Sequence, residues 1–354
     1  MKNILCIVKS YADKVRGGGE TYLHFFLKEL NNKFPNVNLE VLIPNQKTIT
    51  HTKFEGINIH TTNEPNYLGY IDKCDILITQ LDESVKTLRY GLSKEKECIL
   101  IIHNHLNFHF EFTKNPKVFI IYNCYDMFIR FSNAGNTNDN HFILNPYCDF
   151  PKYSLSVNSN DRDYITFINP IRRKGADLVL NCAKYFPKKK FMIVKGGYYH
   201  DKAIKYIEEF RKLPNCFVVD NVKSNEMIKI YNKSRIILQP SRDHETYGMV
   251  CVEAISSGVP VILSKMRWAW GNMGKLGLYC YVPRNTGSDD EDDATIKECY
   301  ELFNCIKLLD EPATYSLWRQ FYFDRALEKY EEERTQMDEF INIFKNKFLN
   351  ISIE

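Results

Sequence analysis

"HETYGMVCVEAISSGVPVI", residues 244–262, reads as a buried helix and strand with one residue that does not suit them. From Met249 to Ile255 every residue is apolar except Glu253, and the run stops at Gly258 and Pro260 before resuming as Val261-Ile262. That pattern predicts a buried helix, a glycine C-cap and the next strand. A carboxylate inside such a helix costs on the order of several kcal/mol unless something pairs with it. The partner of Glu253 is then either a ligand or a permanent structural group, an arginine or backbone N–H groups.

The same helix-then-strand grammar runs outward through the chain. Strands are expected at residues 3–8, 38–43, 75–79, 98–103, 117–121 and 141–144, with helices at 20–33 and 124–132. A second series places strands at 164–168, 191–194, 216–219, 235–238 and 259–263, separated by helices at 175–186, 202–211 and 224–232. Apolar runs of this kind, without polar alternation, are those of parallel strands buried on both faces. The expected fold class is therefore α/β: two Rossmann-like, doubly wound domains facing a central cleft, with a C-terminal helical segment. The domains are set at residues 1–150 and 151–325, and residues 326–354 form a helix returning toward the first. Residues 145–160, polar and containing Pro146 and Pro151, read as the linker.

Composition narrows the partners. A chain of 354 residues with 44% hydrophobic and 26% charged residues is typical of a globular protein. Its net charge of +3 does not suggest a nucleic-acid binder. No apolar run is long enough to cross a bilayer, so a cytoplasmic protein is expected. The 11 cysteines are scattered without a Cys-x-x-Cys pair, which fits core residues in a reducing compartment.

Ligands of parallel α/β sheets sit at the carboxyl ends of strands, and four turns there stand out. Val15-Arg16-Gly17-Gly18-Gly19-Glu20 opens the first helix, where glycines let backbone N–H groups approach an anion; a plain flexible loop is the other reading. His103, His105 and His109 follow the strand at 98–103. His-x-His could pair on a metal, but no carboxylate or cysteine follows at ligand spacing, so no metal is expected and a histidine facing the cleft is the functional reading. Arg172-Arg173-Lys174-Gly175 puts three cations at a helix start, and residues 170–202 hold nine Lys/Arg against two Asp, which suits a diphosphate. Lys188-Lys189-Lys190 in that stretch reads as a solvated turn, or as peripheral contact with an anionic membrane surface. The carboxylate run at residues 289–293 reads as a solvated acidic loop rather than a cation site. The fourth turn is the opening stretch. There Glu245 precedes the helix, and Thr246, Tyr247, Gly248, Met249 and Val250 offer N–H groups to phosphate or sugar oxygens. Two carboxylates and a helix N-terminus suit a ligand bearing hydroxyls and phosphates, as a nucleotide sugar does.

Taken together, "PSRDHETYGMVCVEAISSGVPVI" resembles the Glu-x7-Glu signature of retaining glycosyltransferases of the GT-B fold, family 4. The early Gly-Gly-x-Glu, His103, "NPYCDF" before the linker and "RRKGADLVL" are similar to further motifs of that family. The resemblance implies that Lys174 and neighbouring arginines hold the donor diphosphate and that Glu253 binds the ribose hydroxyls. It also implies that Glu245 and the N–H groups after it meet the transferred sugar, with His103 near the reacting centre and Gly18–Gly19 by the phosphates. Many relatives carry Gly-Arg after the strand, where this chain has Asn169-Pro170, so the arginine's role passes to Arg172 or Arg173. The implied activity is metal-independent, retaining transfer from a nucleotide-diphosphate sugar to a carbohydrate or glycolipid acceptor, with no cofactor. A sugar-nucleotide epimerase of the same fold and a non-catalytic nucleotide-sugar-binding protein are the alternatives.

Overall fold

A computed structural model of the chain describes residues 2–12, 17–104, 109–155, 161–196, 200–220, 222, 226–274, 277–284 and 293–349. By its internal contacts the chain forms two units, residues 1–147 with 332–354, and residues 148–331.

In the first unit the strands are β1 (Asn3–Ile7), β2 (Asn38–Ile43), β3 (Thr50–Phe54), β4 (Ile57–Thr61), β5 (Ile76–Gln80), β6 (Glu97–Ile102), β7 (Val118–Tyr122) and β8 (His141–Ile143). The helices are α1 (Gly18–Lys33), α2 (Ser84–Ser93), α3 (Phe110–Thr113) and α4 (Tyr125–Asn133). The strands lie in the order β3-β4-β2-β1-β5-β6-β7-β8, and every pairing is parallel except β3 with β4. Strand β6 shows why this sheet forms. Its residues from Cys98 to Ile102 are all buried, and each large apolar side chain so placed contributes about 1.5–3 kcal/mol. The core on one face gathers Leu23, Phe26 and Leu27 of α1 with Phe340, Phe344 and Phe348 from the end of the chain.

The β3–β4 hairpin and α2 escape the sequence reading. The hairpin turn is Glu55-Gly56, with φ of 44° and 93°, the two left-handed residues of a two-residue hairpin. Its first strand is mostly exposed, so it lacks the apolar run that marks a central strand.

The second unit begins with α5 (Phe150–Ser154), a short helix inside the stretch read as linker. The side chain of Asp149 caps it by accepting from Lys152 N at 3.2 Å, and Pro151 suits its first turn. The strands that follow are β9 (Tyr164–Ile168), β10 (Lys190–Val194), β11 (Cys216–Val219), β12 (Ser234–Gln239), β13 (Val261–Ser264) and β14 (Leu278–Cys280). The helices are α6 (Ala176–Tyr185), α7 (His200–Arg211), α8 (Met227–Lys233), α9 (Met249–Ser256), α10 (Arg267–Met273), α11 (Tyr300–Leu308) and α12 (Pro312–Phe344). The sheet is wholly parallel, in the order β11-β10-β9-β12-β13-β14. Helix α12 starts in this unit and ends in the first.

None of the eleven cysteines forms a disulfide, and all but Cys216 are buried. No helix among the described residues is long and apolar enough to cross a membrane.

Candidate functional site

A doubly wound sheet has one point where successive connections leave in opposite directions, and ligands bind at the carboxyl ends of the strands there. In the second unit the chain winds outward from β9 to β10 and β11, then returns to the other side of β9 with β12. The switch point therefore lies between the ends of β9 and β12, and the turns after those strands are Asn169–Gly175 and Pro240–Gly248. These are two of the four turns singled out in the sequence.

The two turns are pinned to each other. Arg242 N donates to Arg173 O at 3.0 Å. Gly175 has φ of 90°, and a Cβ there would lie 2.3 Å from Pro240 O, so the close approach requires glycine. Below them Asp177 accepts from both Nε and Nη2 of Arg242, with side chains only 1% and 3% exposed, and from Ala294 N at 2.8 Å. A forked pair with its remaining acceptor sites used is the arrangement that makes a buried ion pair tolerable. Nothing in the sequence joins these residues, which lie 65 positions apart.

Above that base Lys174 and Glu245 meet as an ion pair. Glu245 Oε1 also accepts from Ser241 Oγ at 2.8 Å and Gln239 Nε2 at 3.1 Å. Burial by itself would raise the Glu245 carboxyl, but Lys174, Ser241 and Arg173 outweigh it and hold the group below the usual range. The three cations of the basic turn thus separate. Arg172 is buried, with Nε 4.0 Å from Asp293 Oδ1, an oxygen that accepts from Tyr206 Oη at 2.7 Å. Arg173 is exposed, 3.5 Å from Asp243 Oδ2. Lys174 pairs directly with Glu245. Asn169, ahead of this turn, has φ of 65°. Glycine favours that conformation and asparagine tolerates it best among side chains, a physical reason for Asn where the resembling family has Gly.

Helix α9 begins at Met249, after Gly248 at φ of 83° packed on Trp268. Its first turn is closed by Cys251 N and Val252 N to Gly248 O, so the amides of Met249 and Val250 precede the helix-closing bonds. Thr246 and Tyr247 belong to the turn, and the buried Tyr247 ring lies under Lys329 Nζ at 4.9 Å.

The partners of Glu253 are two phenols. Tyr231 Oη donates to Glu253 Oε2 at 2.8 Å, and Tyr153 is its second hydroxyl neighbour. Burial raises the carboxyl, and Tyr231, the charge of Lys152 and Tyr153 offset that only in part. The structural alternative expected from sequence, an arginine or backbone N–H groups, is thus replaced by neutral side chains from α8 and α5. No signal near residue 253 could have pointed to them.

In the first unit the switch point lies between β1 and β5. The glycine turn opens α1 there: Gly17 is its N-cap, and Gly19 lies beside the His103 ring, where an added Cβ would sit 3.8 Å away. His103 follows β6 and makes a 2.5 Å hydrogen bond through Nε2 to Gln80 Oε1 at the end of β5. An amide oxygen only accepts, so Nε2 carries the proton and Nδ1 the lone pair. Tyr22 packs edge-on against the ring at 5.0 Å. Burial, with His109 nearby, pushes His103 down to about 3, so it is neutral. Val15, Arg16 and His105 lie outside the described residues, as does most of the acidic loop, of which Asp293 is described. Lys189 and Lys190 each pair with a carboxylate, Asp310 and Asp163.

The model of the family described as glycosyl transferases group 1 matches residues 152–269, the stretch that contains both turns, Glu245 and Glu253. No curated protein matches the sequence. Among solved structures, HepE from Anabaena in complex with UDP and glucose is similar, at 14% identity over 98% of this chain and 100% of that one, with a TM-score of 0.73. Sucrose-phosphate synthase from Thermosynechococcus elongatus aligns at 12% identity over 99% and 100%, with a TM-score of 0.74. A glycosyltransferase from Rickettsia africae aligns at 12% identity over 99% of each chain, with a TM-score of 0.72. The fold is GT-B. Its two Rossmann-like domains account for the tandem doubly wound sheets and for the C-terminal helical segment.

Proposed function

We propose that this GT-B protein is a nucleotide-sugar glycosyltransferase of the retaining, family 4 type, moving a sugar to a hydroxyl of a glycan, lipid or other glycoconjugate. The observation that carries the reading is the meeting of Lys174 and Glu245 at the second unit's switch point, inside the stretch matched by the group 1 model. The bound UDP and glucose of the similar Anabaena protein support a donor of this class.

Transfer with retention passes through an oxocarbenium-like state, and negative charge grows on the departing diphosphate. Lys174 is the cation placed to take that charge, and it pairs with Glu245. Donor binding on this reading is an exchange of partners: the diphosphate takes over Lys174, and Glu245 is released toward the transferred sugar. Arg173, exposed to solvent beside Asp243, is the arginine that can turn toward the phosphates, whereas Arg172 is buried beside Asp293. The amides of Met249 and Val250 add donors at a helix start, with Thr246, Tyr247 and Gly248 shaping the turn. Glu253 accepts from the ribose hydroxyls with the lone pairs its tyrosines leave unused. His103 and the Gly18–Gly19 helix start serve the reacting sugar and phosphate. Cations and helix termini replace a metal, and the leaving phosphate helps deprotonate the acceptor, as the resemblance implies.

The test is a panel of nucleotide sugars, UDP-sugars first, assayed for nucleotide diphosphate release with and without EDTA. Release of diphosphate with an α-donor giving an α-product, undiminished by EDTA, is expected. An epimerised sugar nucleotide without release would install the epimerase, and binding without turnover the non-catalytic reading.

A further inference from the structure

The hairpin that the sequence reading misses carries a cluster that donor chemistry does not use. Ile57 and Ile59 of β4, Leu39, Val41 and Ile43 of β2, and Phe54 of β3 all face the core shared with α1. Side chains alternate along a strand, so Glu40, His51 and His60 stand together on the opposite face of three adjacent strands. His51 and His60 are directly paired across the antiparallel ladder, with ring centroids 4.1 Å apart and planes inclined by 28°. His60 Nδ1 lies 3.9 Å from Glu40 Oε1, and one ligand atom from each of the three residues falls within 4.8 Å of the others. Among the described residues this is the one place where three such groups gather.

We propose that Glu40, His51 and His60 form a binding site for a divalent transition-metal ion of the zinc class, which staples the β3–β4 hairpin to β2. Two imidazoles and a carboxylate are the ligand set that zinc accepts, with a fourth position left for water or a further carboxylate. Ligand nitrogens at about 2.0–2.1 Å from a tetrahedral zinc lie about 3.3 Å apart, so the observed cluster must contract by roughly 1.5 Å. The groups that must move are free to do so: His51 is exposed and Glu40 half-exposed. The group that anchors them is not, since His60 is buried and held edge-on by the Tyr70 ring at 5.1 Å. Tyr70 Oη in turn donates to Glu64 Oε1 at 3.3 Å, which brings a further carboxylate to this face. The purpose is mechanical. Strand β3 is an edge strand with three of its five residues exposed, joined to the sheet by β4 alone. A metal bridging all three strands would fix that edge. Strand β4 stands four strand spacings, about 19 Å, from β6 and His103, so the ion has no part in the transfer step.

The full-length protein, stripped with EDTA and desalted, is titrated with Zn2+ against a chromophoric chelator. One equivalent binding at micromolar or lower Kd is expected. Both His51→Ala and Glu40→Gln should weaken it tenfold or more, and neither removes a buried side chain. Co2+ in place of Zn2+ should give the intense visible absorption of a four-coordinate ion, lost in His51→Ala. Zn2+ should slow amide exchange over residues 50–61 in the wild type and leave it unchanged in His51→Ala. The proposal is overturned if no saturable binding occurs below about 100 μM, or if both variants bind as the wild type does. Donor turnover is indifferent to all of these outcomes, so the zinc site and the transferase reading stand or fall separately.

Discussion

At the second unit's switch point Lys174 faces Glu245, Arg173 faces Asp243, and Arg242 is buried against Asp177. At the first unit's switch point the side chains around His103 are Gln80, Tyr22 and His109, and the backbone of Gly19 closes on the ring. One topology thus supports two kinds of site. The first centres on a neutral histidine held by hydrogen bonds and ring contacts, and the ion pair beside it, Lys9 with Asp82, is exposed to solvent. The second is built of charges that satisfy each other, so its loops depend on ion pairs for their shape. On the proposed reading such a site binds by partner exchange, and a mutation there acts on folding and affinity together. In a neutral site the two effects come apart more easily.

The comparison breaks most sharply at its base. Asp177→Ala leaves a buried guanidinium unpaired and should cost about 3–5 kcal/mol. Hydrogen exchange resolved by peptide should show the loss in β9, α6 and β12, while β1 and β5–β7 keep their protection. Equal loss in both units would mean that the pair supports the whole chain rather than one switch point.

The next effect is on the ligand. Lys174→Ala should weaken nucleotide-diphosphate binding by about 1.5–3 kcal/mol, the range for a charge-assisted hydrogen bond. Lys189→Ala, which removes a lysine paired with Asp310, should leave binding unchanged by calorimetry. Matching losses from both would assign the affinity to the general basic charge of residues 170–202 and not to Lys174.

A comparison within the second unit is subtler, because its two glutamates shift in opposite directions. The Glu245 carboxyl is lowered from 4.5, so its contribution to stability is present above that pH and lost as the pH falls through the depressed value. Glu253 is raised from 4.5, so folding favours its protonated form, and that advantage is lost as the pH rises through the raised value. Glu253→Gln should therefore stabilise the ligand-free protein at neutral pH and have no such benefit below pH 4.5. Glu245→Gln should destabilise it at neutral pH and lose that penalty in acid. Urea midpoints from about pH 2 to 8 give both signs; a loss of stability in Glu253→Gln at neutral pH would make its tyrosine partners a stabilising cage. Nucleotide affinity in Glu253→Gln should meanwhile fall by about 1–3 kcal/mol.

The smallest effect is a flat line. With His103 pushed down to about 3, its ring resonances should not move between pH 5 and 8, and the pH–rate profile should carry no limb from it. An inflection near neutrality in the His103 signals would show a more solvated ring than Gln80 and Tyr22 make.

What could be read in the sequence divides along the same physical line. Central strands such as β6 and β9 are buried on both faces, so their apolar runs announce them. The exposed β3, the three-residue edge strand β14 and α5, capped inside a proline-containing stretch, carry no such run. At the candidate site, Lys174 and Glu245 stood out because turns after buried strands are where a parallel sheet exposes chemistry. Their pairing did not, nor did the Arg242–Asp177 fork, because contacts between residues 65 or 71 positions apart leave no local pattern. Tyr153 and Tyr231 look like ordinary core aromatics, and only the fold shows that their hydroxyls close on Glu253.

The distribution of cysteines makes the chain a recorder of its own opening. Cys6, Cys74, Cys98 and Cys124 are sealed in the first unit, and Cys148, Cys182, Cys251, Cys280, Cys299 and Cys305 in the second. An alkylating reagent reaches a sealed thiol only during a fluctuation that uncovers it, so the order in which peptides gain the label ranks the openings by frequency. Cys216, the one thiol partly in contact with solvent, supplies the baseline rate within the same sample. Labelling in two separate waves would describe a molecule whose halves breathe independently, and a single wave one that comes apart as a whole.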